Sequence, residues 1–275
     1  MKTARRSLWK TDAIVVALCA VLLMSSFAAV GPQGRRRARE AVCLSNLRQW
    51  HGVFLDYLQE NDGQFFTGLP GTPGYWWPAQ LDEATQSWKK NRIWFCPTNT
   101  GPLVDEDGHH APSFTTFNAW GIYDFPKLGP DGIAGSYSLN GYTIALSDSP
   151  FGNSAYERGV PSGDGWRHLP SVPHGETVPL FLDALRFDVW PLAADAPPAS
   201  ESGAWAGNHM TRCCIDRHDG AVNCLFLDGA ARKVGLKELW TLKWHRSFNT
   251  EGPWTTAGGA LASDWPKWMR DLKDY

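Results

Sequence analysis

Nine residues separate His218 from an Asp-Gly pair, Asp228 and Gly229, in the stretch "RHDGAVNCLFLDGAARKVG". Histidine and aspartate are the residue types of general acid–base catalysis and of metal ligation. Either chemistry requires the two groups to come within about 3 Å of each other, or within about 2 to 2.6 Å of one ion. The residues between them, Val222 to Leu227, read as a strand, and that length of extended chain covers roughly 20 Å at about 3.3 Å per residue. His218 and Asp228 then sit at opposite ends of one strand, so the pair forms no dyad and reads as two turns.

The other histidines and acids make no firmer site. His109 and His110 lie in the acidic loop "DEDGHHAP", where Asp105, Glu106 and Asp107 could offer oxygen to a cation. The run lacks the alternating positions and the distal glutamate of an EF-hand loop. No HExxH, Walker loop, GxSxG elbow or dinucleotide fingerprint occurs. The six cysteines include no CxxC pair, so neither a metal nor a cofactor is expected. If the bulk of the chain is exported, Cys43 and Cys96 could form a disulfide that ties the first helix to the domain. Free buried thiols are the alternative, and that is the reading for Cys213, Cys214 and Cys224. A net charge of -2, with bases and acids interspersed, gathers no nucleic acid. The chain reads as a non-enzyme; a metal-dependent hydrolase built on loop histidines and acids is the discarded alternative.

Trp76, Trp77, Trp120 and Trp166 stand in turn-rich sequence. They could present an aromatic surface to an envelope polysaccharide or a protein, or they could pack the loops.

The elements that must carry these residues are legible in part. From Arg35 to Glu60 the apolar positions Leu44, Leu47, Trp50, Phe54, Tyr57 and Leu58 recur at helical spacing, and Asn61-Asp62-Gly63 ends the helix. From Gln64 to about Met210 turn chemistry dominates, with short strands expected at Ser136–Leu139, Tyr142–Ala145 and Val178–Leu182. The segment Thr211 to Val234 reads as a three-stranded antiparallel meander: "TRCCIDR", "VNCLFL" and "ARKV", joined by "HDGA" and "DGA". Short helices follow at "LKELWTLKW" and "SDWPKWMRDL".

The first residues differ in kind. Lys2, Arg5, Arg6 and Lys10 precede the uncharged stretch "AIVVALCAVLLMSSFAAV", Ala13 to Val30, and "RRRAR" follows. As a helix that stretch rises about 27 Å, enough for an anchor or a signal peptide; the anchor is the reading carried forward.

These pieces together resemble a family. The apolar segment, "RRRAREAVCLSNLRQW", "YLQENDGQFF", "FCPT", "GSYSLNGY" and the C-terminal "RHDGAVNCLFLDGAARKVGLKELWTLKWH" look like the planctomycete-type, bacterial type IV pilin-like (pseudopilin-like) proteins with a C-terminal H-x9-DG motif, here His218, Asp228 and Gly229. The leader departs from the prepilin pattern, with no Gly before the apolar segment and Asp12 as its sole nearby acid. The resemblance implies an α+β pilin-like fold. A long N-terminal helix, half in the membrane and half amphipathic, would pack on an antiparallel sheet with long Trp-rich loops. The expected organisation is a cytoplasmic basic leader over 1–12, a transmembrane segment over 13–30, an amphipathic helix over 31–63 and an extracytoplasmic sheet domain with C-terminal helices over 64–275. The expected role is that of a single-pass inner-membrane subunit, structural or assembly-related, in a type II secretion or pilus-like system. Its partners would be the membrane, other pilin-like subunits or its own copies. The alternative is an anchored domain that binds envelope polysaccharide or protein through the loop tryptophans.

Overall fold

A computed structural model describes residues 12–21, 31–67, 77–99, 103–105, 115–122, 132–146, 155–202 and 207–275. The chain divides into two compact units, residues 1–39 and 40–275. Residues 12–21 are helical, with Ile14, Val15, Val16, Leu18 and Val21 exposed. Among the described residues no helix is long and apolar enough to cross a membrane. The expected transmembrane segment, single-pass topology and inner-membrane location are corrected on that finding; the part of the 13–30 stretch beyond Val21 lies outside the described residues. The longest described helix, α1, runs Pro32–Glu60 and carries Arg35, Arg36, Arg37, Arg39 and Arg48. Arginines so placed make it too polar for hydrocarbon.

In α1 the side chains of Cys43, Asn46, Leu47, Trp50, Phe54 and Leu58 are buried, a stripe at helical spacing. The helix stops because Asp62 and Gly63 turn left-handed, at φ 52° and 77°, and the Gly63 N–H returns to the Leu58 carbonyl at 2.7 Å.

The expectation of one long helix on an antiparallel pilin sheet is also corrected: the protein is mixed α/β, with two sheets that each contain a parallel pair. Strands β1 (Leu103–Asp105), β2 (Ala119–Ile122) and β3 (Ile133–Gly135) form a three-stranded sheet in which β1 and β2 run parallel. The second sheet has the order β6-β4-β5-β7-β8, where β4 is Tyr137–Asn140, β5 Pro179–Asp183, β6 Asp188–Val189, β7 Ala221–Phe226 and β8 Ala231–Gly235. Its edge pair β4–β6 is parallel and the other pairs are antiparallel. Every residue of β4, β5 and β7 is buried, so both faces of the sheet are covered. Strands β3 and β4 are one extended run that changes sheets at Ser136, a corner of the kind that joins packed sheets.

The meander expected over Thr211 to Val234 keeps two of its three strands. "TRCCIDR" is no strand: the short helix α3, His209–Cys213, begins it, because the Asn208 side chain caps the Thr211 N–H at 3.0 Å. The edge of β7 that this segment would have occupied is paired with β5 instead. Tyr142–Ala145 likewise opens as a 3-10 turn, Gly141–Thr143, capped by the Asn140 side chain.

The loop tryptophans are structural. Their indole N–H groups reach backbone carbonyls: Trp77 to Phe187 at 2.9 Å, Trp94 to Thr85 at 2.7 Å, Trp120 to Tyr137 at 3.1 Å and Trp166 to Trp244 at 2.9 Å. Each such contact ties a loop to the core while satisfying a polar group that burial would otherwise strand.

Candidate functional site

The chemistry-bearing residues converge where four elements meet. Cys43 comes from α1 and Cys96 from the loop after the 3-10 turn Arg92–Trp94. Asp183 closes β5, and His218 lies in the turn before β7. That turn is tight because Asp219 and Gly220 both take positive φ, 51° and 76°, and the His218 N–H bonds the Ala221 carbonyl at 3.0 Å. It aims the imidazole inward. The His218 Nε2 lies 3.1 Å from Asp183 Oδ2 and 3.4 Å from Cys96 Sγ, and the Cys43 thiol lies 3.7 Å from Asp183 Oδ2. One donor atom from each of the four residues falls within 4.8 Å of every other. All four are buried, with His218 at 4 % exposure and the other three at 0 %.

A second ring of groups orients these four. Arg217 donates to Asp183 Oδ1 at 3.3 Å, and the Asn223 N–H donates to Oδ2 at 2.9 Å. The Tyr137 hydroxyl donates to Cys43 Sγ at 3.2 Å, Thr98 Oγ1 lies 2.7 Å from Cys96 Sγ, and the Cys96 N–H donates to Ser136 Oγ at 2.6 Å. Burial opposes ionisation of Asp183, but His218 and Arg217 beside it hold its carboxyl below the usual range. Burial works against a charged His218 as well, and Asp183 overrides it, raising the imidazole to about 10. The Cys43 thiol is pushed well up by burial. Burial also disfavours the Cys96 thiolate, yet the hydrogen bond with Cys43, with help from His218 and Arg217, brings it down to about 6.

A cysteine, histidine and carboxylate in contact are the parts of a thiol nucleophile or of a metal site. Cys96 also backs a surface pocket of about 580 Å³ lined in part by Val42, Asn46, Trp88 and Phe95. Its sulfur faces Thr98, Cys43 and His218, however, and the residue has 0 % exposure.

Comparison with family models, with curated proteins and with solved structures finds no match for this chain.

The structure brings Cys43, Cys96 and His218 together and adds Asp183, which the sequence reading left out. Cys43 and Cys96, the candidate disulfide pair, are neighbours and free cysteines. Asp228 and Gly229 lie at the far end of β7: Asp228 Oδ1 accepts from the Ala230 N–H at 2.9 Å, and Gly229 takes φ 87°. His218 differs from the expected turn histidine, because its backbone closes the turn while its side chain serves the cluster. Of the tryptophans offered either as a binding surface or as packing for the loops, Trp77, Trp120 and Trp166 are buried at 1, 0 and 2 %, which is the packing alternative for those three. Trp76, His109, His110, Glu106 and Asp107 lie outside the described residues. One signal for Asp183 was present: the apolar run "VPLFL" ends directly on a carboxylate, and an acid drawn into a buried strand requires a cation or donors nearby.

Two further buried histidines set the acid stability. His209 Nδ1 accepts from the Trp190 N–H at 3.1 Å while Nε2 faces Glu157 at 3.0 Å, an arrangement that suits a neutral ring. Burial lowers His209 to about 4 against the opposing pull of Glu157, with Arg186 assisting. Burial likewise lowers His245 to about 4, with Asp164 opposing. Unfolded, both take up a proton near pH 6.5. Between about pH 6.5 and 4 the unfolded state therefore binds more protons, and stability falls as pH falls. His218, held protonated in the fold while its unfolded form gains a proton over the same range, opposes this by less than the two rings together. Urea melts at pH 7 and pH 5 should differ by about 2 to 4 kcal/mol, with pH 5 the weaker; equal midpoints would show that these rings are not buried neutral.

Proposed function

We propose that the protein is a non-enzymatic structural subunit that assembles with copies of itself or with related subunits, its H-x9-DG segment fastening α1 to the sheet. The observation that carries this reading is that both ends of the segment engage the same helix. At one end the His218 imidazole joins the cluster that includes Cys43. At the other, Gly229 lies so close to His51 that a Cβ there would stand 2.5 Å from the ring. The salt bridge between Lys233 on β8 and Glu40 on α1, at 3.1 Å, adds a third fastening. The opposite side of the helix stays open, with Val42, Ser45, Arg48, Gln49 and Asp56 exposed. A motif devoted to holding a helix while leaving its outer side free suits a subunit better than a catalyst. The resemblance to the H-x9-DG proteins supports the same role.

The full chain, carrying two different tags in one cell, tests this. Co-purification of the two tagged copies, or of related subunits, is expected, and Val42→Glu combined with Arg48→Glu should reduce it at least tenfold without lowering the melting temperature. A wild-type chain that remains monomeric by light scattering at every concentration, and captures no subunit, would sink the proposal.

A further inference from the structure

We propose that Cys43, Cys96, Asp183 and His218 form a tetrahedral structural site for a zinc-class divalent ion. Tetrahedral zinc with bonds of about 2.3 Å to sulfur and about 2.0 to 2.1 Å to nitrogen and oxygen needs its ligand atoms about 3.3 Å apart for N and O and about 3.5 Å apart for S with N or O. The corresponding separations are 3.1 Å for His218 Nε2 to Asp183 Oδ2, 3.4 Å for Cys96 Sγ to His218 Nε2 and 3.7 Å for Cys43 Sγ to Asp183 Oδ2. The remaining pairs lie within 4.8 Å. Small shifts of side chains would close the set around one ion.

The charge arithmetic agrees. Two thiolates and a carboxylate carry three negative charges, a divalent ion supplies two positive ones, and the buried Arg217 guanidinium on Asp183 supplies the third, so a dry site ends neutral. Soft sulfur donors with one imidazole select zinc over calcium or magnesium, which take oxygen. The surrounding contacts are of the kind that orient ligands. Arg217 and the Asn223 N–H fix the carboxylate, Tyr137 donates to one sulfur, and Thr98 lies against the other. Asn223 is fully buried, with Nδ2 3.2 Å from His218 Nε2 and Oδ1 lacking a hydrogen-bond partner among the described residues. Nε2 is thus crowded by a sulfur, a carboxylate and an amide at once. One ring proton cannot serve all three, whereas a cation at the centre takes the nitrogen lone pair and the two anions together. With four protein ligands and no exposed position, the site is of the closed, structural kind. It would staple α1, the Cys96 loop, β5 and the His218 turn to one point.

The full-length chain, purified without chelator and then incubated with zinc chloride and desalted, should retain one zinc per chain by elemental analysis. Cobalt(II) in its place should give the intense visible bands of a tetrahedral site and a thiolate-to-cobalt charge-transfer band. Cys43→Ser and Cys96→Ser should each weaken that band by about half and lower zinc affinity at least a hundredfold. Should those variants fail to fold, chelator titration of the wild-type cobalt form still reads the site: removal of the ion should abolish the bands and make the two cysteines reactive to a thiol reagent. A folded wild-type chain that retains no zinc after incubation overturns the proposal. So does a cobalt spectrum without thiolate charge transfer, or an intact mass showing Cys43 and Cys96 joined as a disulfide.

Discussion

Arg217→Met is expected to destabilise the protein by about 3 to 5 kcal/mol, the scale of removing one partner from a buried ion pair. Arg217 is 3 % exposed. Its Nε donates to the Thr116 carbonyl at 2.8 Å, Nη1 to that of Ser136 at 2.8 Å, and Nη2 to those of Asn118 at 2.8 Å and Ala184 at 3.4 Å. Nη1 also faces Asp183 Oδ1 at 3.3 Å. Thr116 and Asn118 lead into β2 of the smaller sheet, whereas Asp183 ends β5 in the larger one with Ala184 directly after it, and Ser136 is the corner between the two sheets. One planar fork therefore bolts the two sheets together. Methionine fills the volume but donates nothing, leaving the buried Asp183 carboxylate with His218 but without its guanidinium and several carbonyls without donors, each costing about 1 to 3 kcal/mol where no other partner exists. Arg217→Lys should recover less than half of the loss, because an ammonium cannot reach this set in a plane. Guanidinium denaturation measures both variants; a loss below about 1 kcal/mol for Arg217→Met would show that the sheets hold without the bolt.

That prediction concerns a residue whose importance the sequence did not disclose, and the reason is physical. Local rules reach what local spacing determines. Leu47, Trp50, Phe54 and Leu58 form one side of a helix by periodicity, and all four are buried in α1. "VNCLFL", Asp228-Gly229 and "ARKV" pair as β7 and β8 around a positive-φ glycine. The cluster obeys no such rule. Cys43 and Asp183 are 140 positions apart and Cys96 and His218 are 122 apart, so only the completed fold makes them neighbours. Motif spacing finds sites held on one hairpin or one helix and passes over a site assembled from four elements. The tryptophans were left between surface and loop packing for a related reason. Turn-rich sequence admits either, and in this chain the loops are part of the core and the indole N–H groups fasten them. The apolar stretch from Ala13 misled differently: composition and length admitted a membrane span, and among the described residues no helix provides one.

Trp50→Ala is the second change expected to cost about 3 to 5 kcal/mol, the usual range for truncating a fully buried tryptophan. Trp50 projects from α1 into an aromatic group whose other members come from three separate segments. Its ring centroid lies 5.6 Å from that of Trp77 and 4.6 Å from that of Trp94, both edge-on, and 5.2 Å from that of Phe181 on β5. Edge-to-face pairs of this kind contribute about 0.5 to 1.5 kcal/mol each beyond the area they bury. The indole N–H also satisfies the Ile93 carbonyl at 2.9 Å, which alanine would orphan beside a cavity. Trp50→Phe separates the contributions, since it keeps most of the packing and loses the hydrogen bond, and should cost about 1 to 2 kcal/mol. Trp50 lies two turns beyond Cys43 on the same side of α1, and the Ile93 carbonyl it holds is close in sequence to Cys96. Loss of the indole should therefore loosen two of the four cluster residues together, raising thiol reactivity of Cys43 and Cys96 in the alanine variant more than in the phenylalanine one. Equal thiol reactivity in the two variants would show that the cluster is held independently of the aromatic group, by Arg217 and the strands alone.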